Sequence, residues 1–91
     1  MSTIRKHMKF RGRVQGVGFR YRAEKSASLL DITGWVRNNE DGSVEMEAQG
    51  SKEQIDKMIE LIQKSNYIEI DVIEEKIIPL KDDEYGFTIK D

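Results

Sequence analysis

The sequence predicts a ferredoxin-like two-layer α+β sandwich, an antiparallel sheet with two helices on one face. Three observations carry this. Stretches of two-residue alternation are interleaved with two stretches of helical spacing, in the order strand, helix, strand, strand, helix, strand. The strands are apolar on one side and charged on the other, so one sheet face packs while the other meets solvent. Ninety-one residues leave room for one core, burying roughly 60 to 65% of the unfolded chain's surface, which makes residues 1–91 a single expected domain.

The first strand runs through residues 4–11. Ile4, Met8 and Phe10 lie on one side and Arg5, His7, Lys9 and Arg11 on the other, with Lys6 interrupting the apolar side. After a glycine-rich turn, Phe19, Ala23, Ala27 and Leu30 recur at helical spacing, and this helix ends between Asp31 and Gly34. A strand with Trp35 and Val36 follows. The turn Asn39-Glu40-Asp41-Gly42 contains an Asp-Gly pair, and Val44, Met46 and Ala48 then alternate with Glu45, Glu47 and Gln49, so the two strands form a hairpin with one wet face. Ser51 and Gln54 have capping-box spacing ahead of an apolar stripe of Ile55, Met58, Ile59 and Ile62, which predicts a second helix reaching about Ser65. Residues 67–78 read as a fourth strand, Pro79 interrupts, and Tyr85, Phe87 and Ile89 alternate in a closing strand. Phe10, Trp35, Tyr85, Phe87 and the methionines are expected mainly in the core. Asp82-Asp83-Glu84 reads as a hydrophilic turn rather than a metal set.

Composition narrows the function. Cysteine is absent, which removes disulfides, thiolate nucleophiles and cysteine-based metal sites and fits a reducing cytoplasm. The amino terminus has no apolar leader and no segment is apolar enough to span a membrane, so a soluble, cytoplasmic protein without membrane association is expected; a monomer is expected as well. Net charge is −2, unevenly spread. Residues 1–38 hold nine Lys/Arg against Glu24 and Asp31, a net of +7, whereas residues 39–91 hold six Lys/Arg against fifteen Asp/Glu, a net of −9. Positive charge around the glycine turn suits a small anionic substrate. The acidic remainder argues against a nucleic-acid groove.

Residues 12–20, Gly12-Arg13-Val14-Gln15-Gly16-Val17-Gly18-Phe19-Arg20, combine three glycines and an arginine between a strand and a helix. Glycines allow the backbone to bring consecutive N–H groups onto phosphate oxygens at a helix N-terminus, and Arg20 adds a planar cationic fork. A second cluster reads Gly34-Trp35-Val36-Arg37-Asn38, then Gly42-Ser43-Val44 and Gly50. Taken together, the clusters resemble the acylphosphatase family, whose motifs G-x-V-Q-G-V-x-F-R and G-(aromatic)-V-(K/R)-N-x-x-x-G-x-V are both met without a gap.

The resemblance implies a small cytosolic hydrolase of the carboxyl–phosphate bond, with Arg20 and Asn38 catalytic and Gln15, Gly16, Val17, Gly18, Phe19 and Arg20 forming the phosphate loop. No metal and no cofactor is expected; the partners are a small-molecule acyl phosphate and the product inorganic phosphate. Arg13, Arg22 and Arg37 are read as solvated, and Gln15 as either shaping the loop or facing water. His7, the only histidine, falls on the polar face away from the loop. Two other readings stay open. An RNA-recognition module shares the element order but needs stacking aromatics where Ser43-Val44-Glu45-Met46-Glu47-Ala48 presents glutamates. A noncatalytic phosphate sensor would keep the cradle but has no need of Asn38. The acyl group is unassigned, and carbamoyl phosphate is among the options.

Overall fold

The computed structural model describes residues 2–91. Its elements are β1 (Ile4–Arg13), α1 (Phe19–Leu30), β2 (Thr33–Asn38), β3 (Val44–Gly50), α2 (Lys52–Gln63), β4 (Glu69–Ile78) and β5 (Phe87–Lys90), as the periodicities predict to within a few residues. The sheet order is β4-β1-β3-β2-β5. No helix among the described residues is long and apolar enough to cross a membrane.

β1 and β2 both pair antiparallel with β3, which lies between them, so their C-terminal ends emerge at the same end of the sheet. There Val44 of β3 has Phe10 of β1 on one side and Asn38 of β2 on the other. Two strand spacings therefore separate the glycine turn from Asn38, about 10 Å, a gap the turn can bridge across the end of β3.

One expectation about the sheet needs correcting, since it is mixed rather than wholly antiparallel. β5 pairs in parallel with β2, Gly34 opposite Phe87 and Val36 opposite Ile89. The path of the chain dictates this. β4 ends beside the start of β1, with Ile78 opposite Arg5, and residues 79–86 then cross to the start of β2, where the Gly34 N–H donates to the Gly86 carbonyl at 3.1 Å. A strand arriving there runs in β2's own direction.

Both helices pack on one face, over Met8, Phe10, Val36, Val44, Met46 and Ala48, each 0% exposed. α1 contributes Phe19, Ala23 and Ala27, and α2 contributes Ile55, Met58 and Ile62. The predicted capping box starts α2: Ser51 Oγ accepts from the Gln54 N–H at 3.1 Å, and Gln54 Oε1 accepts from the Ser51 N–H at 2.9 Å.

The opposite face is less wet than its charge pattern suggests. Residues 79–86 cross it at one end, where Lys81 and Gln49 exchange two hydrogen bonds of 2.9 and 3.0 Å. Arg5, placed on the solvent side by its alternation, is consequently only 1% exposed, held by Glu84 at 2.8 Å, Glu47 at 2.9 Å and Gln49 at 3.1 Å. Glu84 thus belongs to a buried ion pair and not to a free turn. Trp35 is buried but turned away from the helices, with Arg37 and Lys90 stacked on its ring at 5.3 and 4.5 Å. Tyr85, expected in the core, is 90% exposed because it lies in the crossing segment before β5 begins.

Candidate active site

The turn after β1 starts with a break in pairing. The β1–β4 register shifts between Arg11 and Gly12, and Gly12 has φ 133°, with Glu69 O only 2.3 Å from where a Cβ would stand, so a side chain is excluded. Val14 then anchors the turn in the core at 1% exposure. Gly18, at φ 84°, is the N-cap of α1; it has the left-handed conformation that glycine adopts without steric cost, and no side chain to cap the helix. Backbone N–H groups from Gly16 to Tyr21 donate to no protein acceptor among the described residues. A helix N-terminus with its donors unclaimed attracts an anion through both the dipole and those hydrogen bonds.

Phe19 fixes where the helix begins. Its ring packs 4.9 Å from that of Phe10, and it is 1% exposed. Anchoring Phe19 inward carries Arg20 to the rim of the end of the sheet. Arg5, Arg11, Arg13 and Arg37 all pair with carboxylates, and Arg22 donates to the Leu61 carbonyl at 3.1 Å. Among the described residues Arg20 alone of the arginines has no protein acceptor, so its fork is available to a ligand. Arg13, Arg22 and Arg37 are surface side chains, as expected, and their pairings lie at the protein surface.

Asn38 closes the other side. It ends β2 on the helix-facing side, and its Oδ1 is buried without a hydrogen-bond partner. Gln15 ties the turn to the hairpin that carries Asn38: its Nε2 donates to the Asn39 carbonyl at 2.7 Å and to the Ser43 carbonyl at 2.9 Å. The hairpin is closed by Asn39 N–H to Ser43 O at 2.9 Å. Asp41 reinforces it, accepting from the Ser43 hydroxyl at 2.6 Å and backbone N–H at 3.0 Å; with Arg11 beside it, these bonds hold the Asp41 carboxyl down at about 2.

A concavity of about 250 Å³ results, lined by Gly16, Gly18, Phe19, Arg20 and Asn38 together with Val14, Tyr21 and Ile89. Of the residues the sequence singled out, Gln15 and Val17 do not line it. Gln15 shapes the loop from behind through its two carbonyl contacts, and Val17 packs against the core. Tyr21 and Ile89 were not anticipated. Tyr21 lies off the apolar stripe of α1, whereas the parity of Ile89 in the last strand, opposite Val36, is a usable signal once the parallel pairing is known. His7 lies on the opposite sheet face, 2.6 Å from Glu45. Burial opposes the charge on Glu45, but hydrogen bonds from His7 and Arg37 outweigh it and keep that carboxyl below its usual range.

Fold and site define a ferredoxin-like domain in which a helix N-terminus, an arginine without a protein acceptor and an orphan amide surround one concavity. Residues 6–89 match the acylphosphatase family. The chain is 45% identical over 83 residues to an acylphosphatase of Clostridium acetobutylicum, covering 90% of this chain and 91% of the relative. Among solved structures, acylphosphatase from Bacillus subtilis superposes with a TM-score of 0.86 at 30% identity, covering 96% of this chain and 98% of the other. Full-length HypF in its phosphate- and nucleotide-bound form matches with the same TM-score at 26% identity, over 99% of this chain but 12% of that one. The chain belongs to the acylphosphatase family and is a hydrolase acting on acyl phosphates.

Proposed function

We propose that the enzyme cleaves the carboxyl–phosphate bond without a metal, with the glycine loop and Arg20 holding the phosphoryl group and Asn38 orienting the attacking water. The observation that carries this is the convergence of unclaimed N–H groups, the unpaired Arg20 and the orphan Asn38 amide on one small concavity. The lining residues provide donors for an anion and offer no carboxylate, imidazole or thiolate to ligate a cation, and their one acidic side chain is the phenol of Tyr21, a mostly exposed group.

This donor set suits one leaving-group class. An alkyl phosphate expels an alkoxide, whose parent acid is about as weak as water at about 15.7, and needs protonation or a Lewis acid. An acyl phosphate expels a carboxylate with a parent pKa of about 4, stable enough to depart unprotonated. Positioning and charge stabilisation then suffice. Arg20 and the N–H groups match the charge on the equatorial phosphoryl oxygens in a loose transition state. Asn38 is a neutral amide and not a base, so the water's proton passes to a phosphoryl oxygen or to the departing carboxylate.

The test is hydrolysis of benzoyl phosphate and of glycerol 3-phosphate, each with and without a chelator. Turnover of the acyl phosphate alone, indifferent to chelator and competitively inhibited by inorganic phosphate, is expected. Chelator-sensitive turnover, or comparable rates on the alkyl ester, would overturn the proposal.

A further inference from the structure

The acyl side of the substrate has its own candidate site. Beside the phosphate pocket a larger groove of about 490 Å³ runs between α1 and α2, and Gly18 and Tyr21 line both. Val17, Leu61 and Tyr67 make it apolar, Arg22, Lys25 and Lys64 make it cationic, and no carboxylate lines it. Tyr67 is 72% exposed, a ring offered to solvent. Another concavity of about 580 Å³ also touches Tyr21, but Glu24 and Asp31 line it and disfavour an anion.

Geometry selects the same groove. In an in-line displacement the attacking water and the leaving group lie on opposite sides of the phosphorus. Asn38 and Ile89 flank the N-terminus of α1 from the β2–β5 side, whereas the groove opens on its α2 side. Water held by Asn38 bonds to phosphorus as the bond to the carboxylate oxygen breaks, and the electron pair departs over Gly18 toward α2. We propose that this groove is the acyl subsite, and that it favours acyl phosphates with a ring-sized apolar body and a second negative charge at the far end. The proposal rests on the role given to Asn38 above.

The experiment compares kcat/KM for 4-carboxybenzoyl phosphate and benzoyl phosphate in the wild type and in the exposed double variant Lys25→Glu, Lys64→Glu. Both substrates share the phosphoryl group and the ring, so changes in the cradle or in the folded fraction cancel in the ratio. The ratio should favour the carboxylated substrate in the wild type and fall about tenfold in the double variant, because two exposed attractions become repulsions. A ratio near one in the wild type, or one unmoved by the double reversal, overturns the acyl subsite while leaving hydrolysis intact. A wild type that consumes neither substrate overturns the hydrolytic reading along with it.

Discussion

Replacing Asn38 by alanine should separate catalysis from stability in opposite directions. Oδ1 of Asn38 is buried without a donor, and an unsatisfied buried polar group costs roughly 1–3 kcal/mol. Asn38 is only half-buried, so its truncation leaves little cavity to offset that gain. Asn38→Ala is therefore expected to unfold at the same denaturant concentration as the wild type or a higher one, by up to about 1 kcal/mol. Turnover should nonetheless collapse by on the order of 100- to 1000-fold, the usual cost of losing one preorganised polar contact in the transition state. Inhibition by inorganic phosphate should stay nearly unchanged, since Arg20 and the loop N–H groups remain. The assay pairs urea unfolding with benzoyl phosphate kinetics at several phosphate concentrations. A destabilisation of about 2 kcal/mol would mark Asn38 as a structural residue, and near-normal turnover would refute the water-orienting role.

The other predictions address neighbouring groups. Arg20→Lys should lose about 100-fold or more in kcat/KM and weaken phosphate inhibition, because a point charge cannot replace the bidentate fork; unchanged inhibition would exclude Arg20 from the cradle. Gln15→Glu should be as damaging as Gln15→Ala, since both contacts of Gln15 donate to carbonyls and a carboxylate has no N–H. Each should cost about 1–2 kcal/mol and slow kcat, and a fully stable, fully active Gln15→Glu would sink the clamp. Glu84→Gln should destabilise by about 2–3 kcal/mol, lowering Tm by roughly 10–20 °C, because Arg5 stays buried with one carboxylate fewer; an unchanged Tm would contradict this. Burial opposes the charge on Glu84, but Arg5 wins and holds its carboxyl below the usual range. A depressed carboxyl contributes stability in full above its unfolded value of about 4.3, and that stability disappears as pH falls through the folded value. Unfolding free energy should thus drop below about pH 4.5, less steeply in Glu84→Gln.

Much of the fold was legible because period and parity are local properties. Both helices and the first four strands follow from the spacing of apolar residues, and the capping box from two residues three apart. The direction of β5 was not legible, because it depends on where the chain lands after Pro79, which no local pattern encodes. Arg5 failed for a related reason, whereas Trp35 is buried as expected but on the face away from the helices. Alternation assigns a residue to a face but does not say what covers that face, and here residues 79–86 cover Arg5 while Arg37 and Lys90 cover Trp35. The nearness of Arg20 to Asn38 needed the sheet order, and the role of Gln15 needed the hairpin carbonyls it reaches. Motif resemblance named those residues without explaining how they meet.

Parity does mark the site once the structure supplies the partners. Two polar residues of the inner strands occupy helix-facing positions that their neighbours fill with apolar or small side chains. Lys6 stands in line with Met8 and Phe10, and Asn38 in line with Gly34 and Val36. Both break the binary pattern, and such breaks either find a partner or serve a function. Lys6, 9% exposed, reaches Glu75 at 3.1 Å, so its break is resolved within the fold. Asn38 has no such resolution, and the helix turn beside it presents donors that no protein acceptor claims. Stability alone would favour an apolar residue at position 38. On the proposed function, that break is kept for the water-orienting role of its amide, beside the bare N-terminus of α1 and the unpaired Arg20 that line the same concavity.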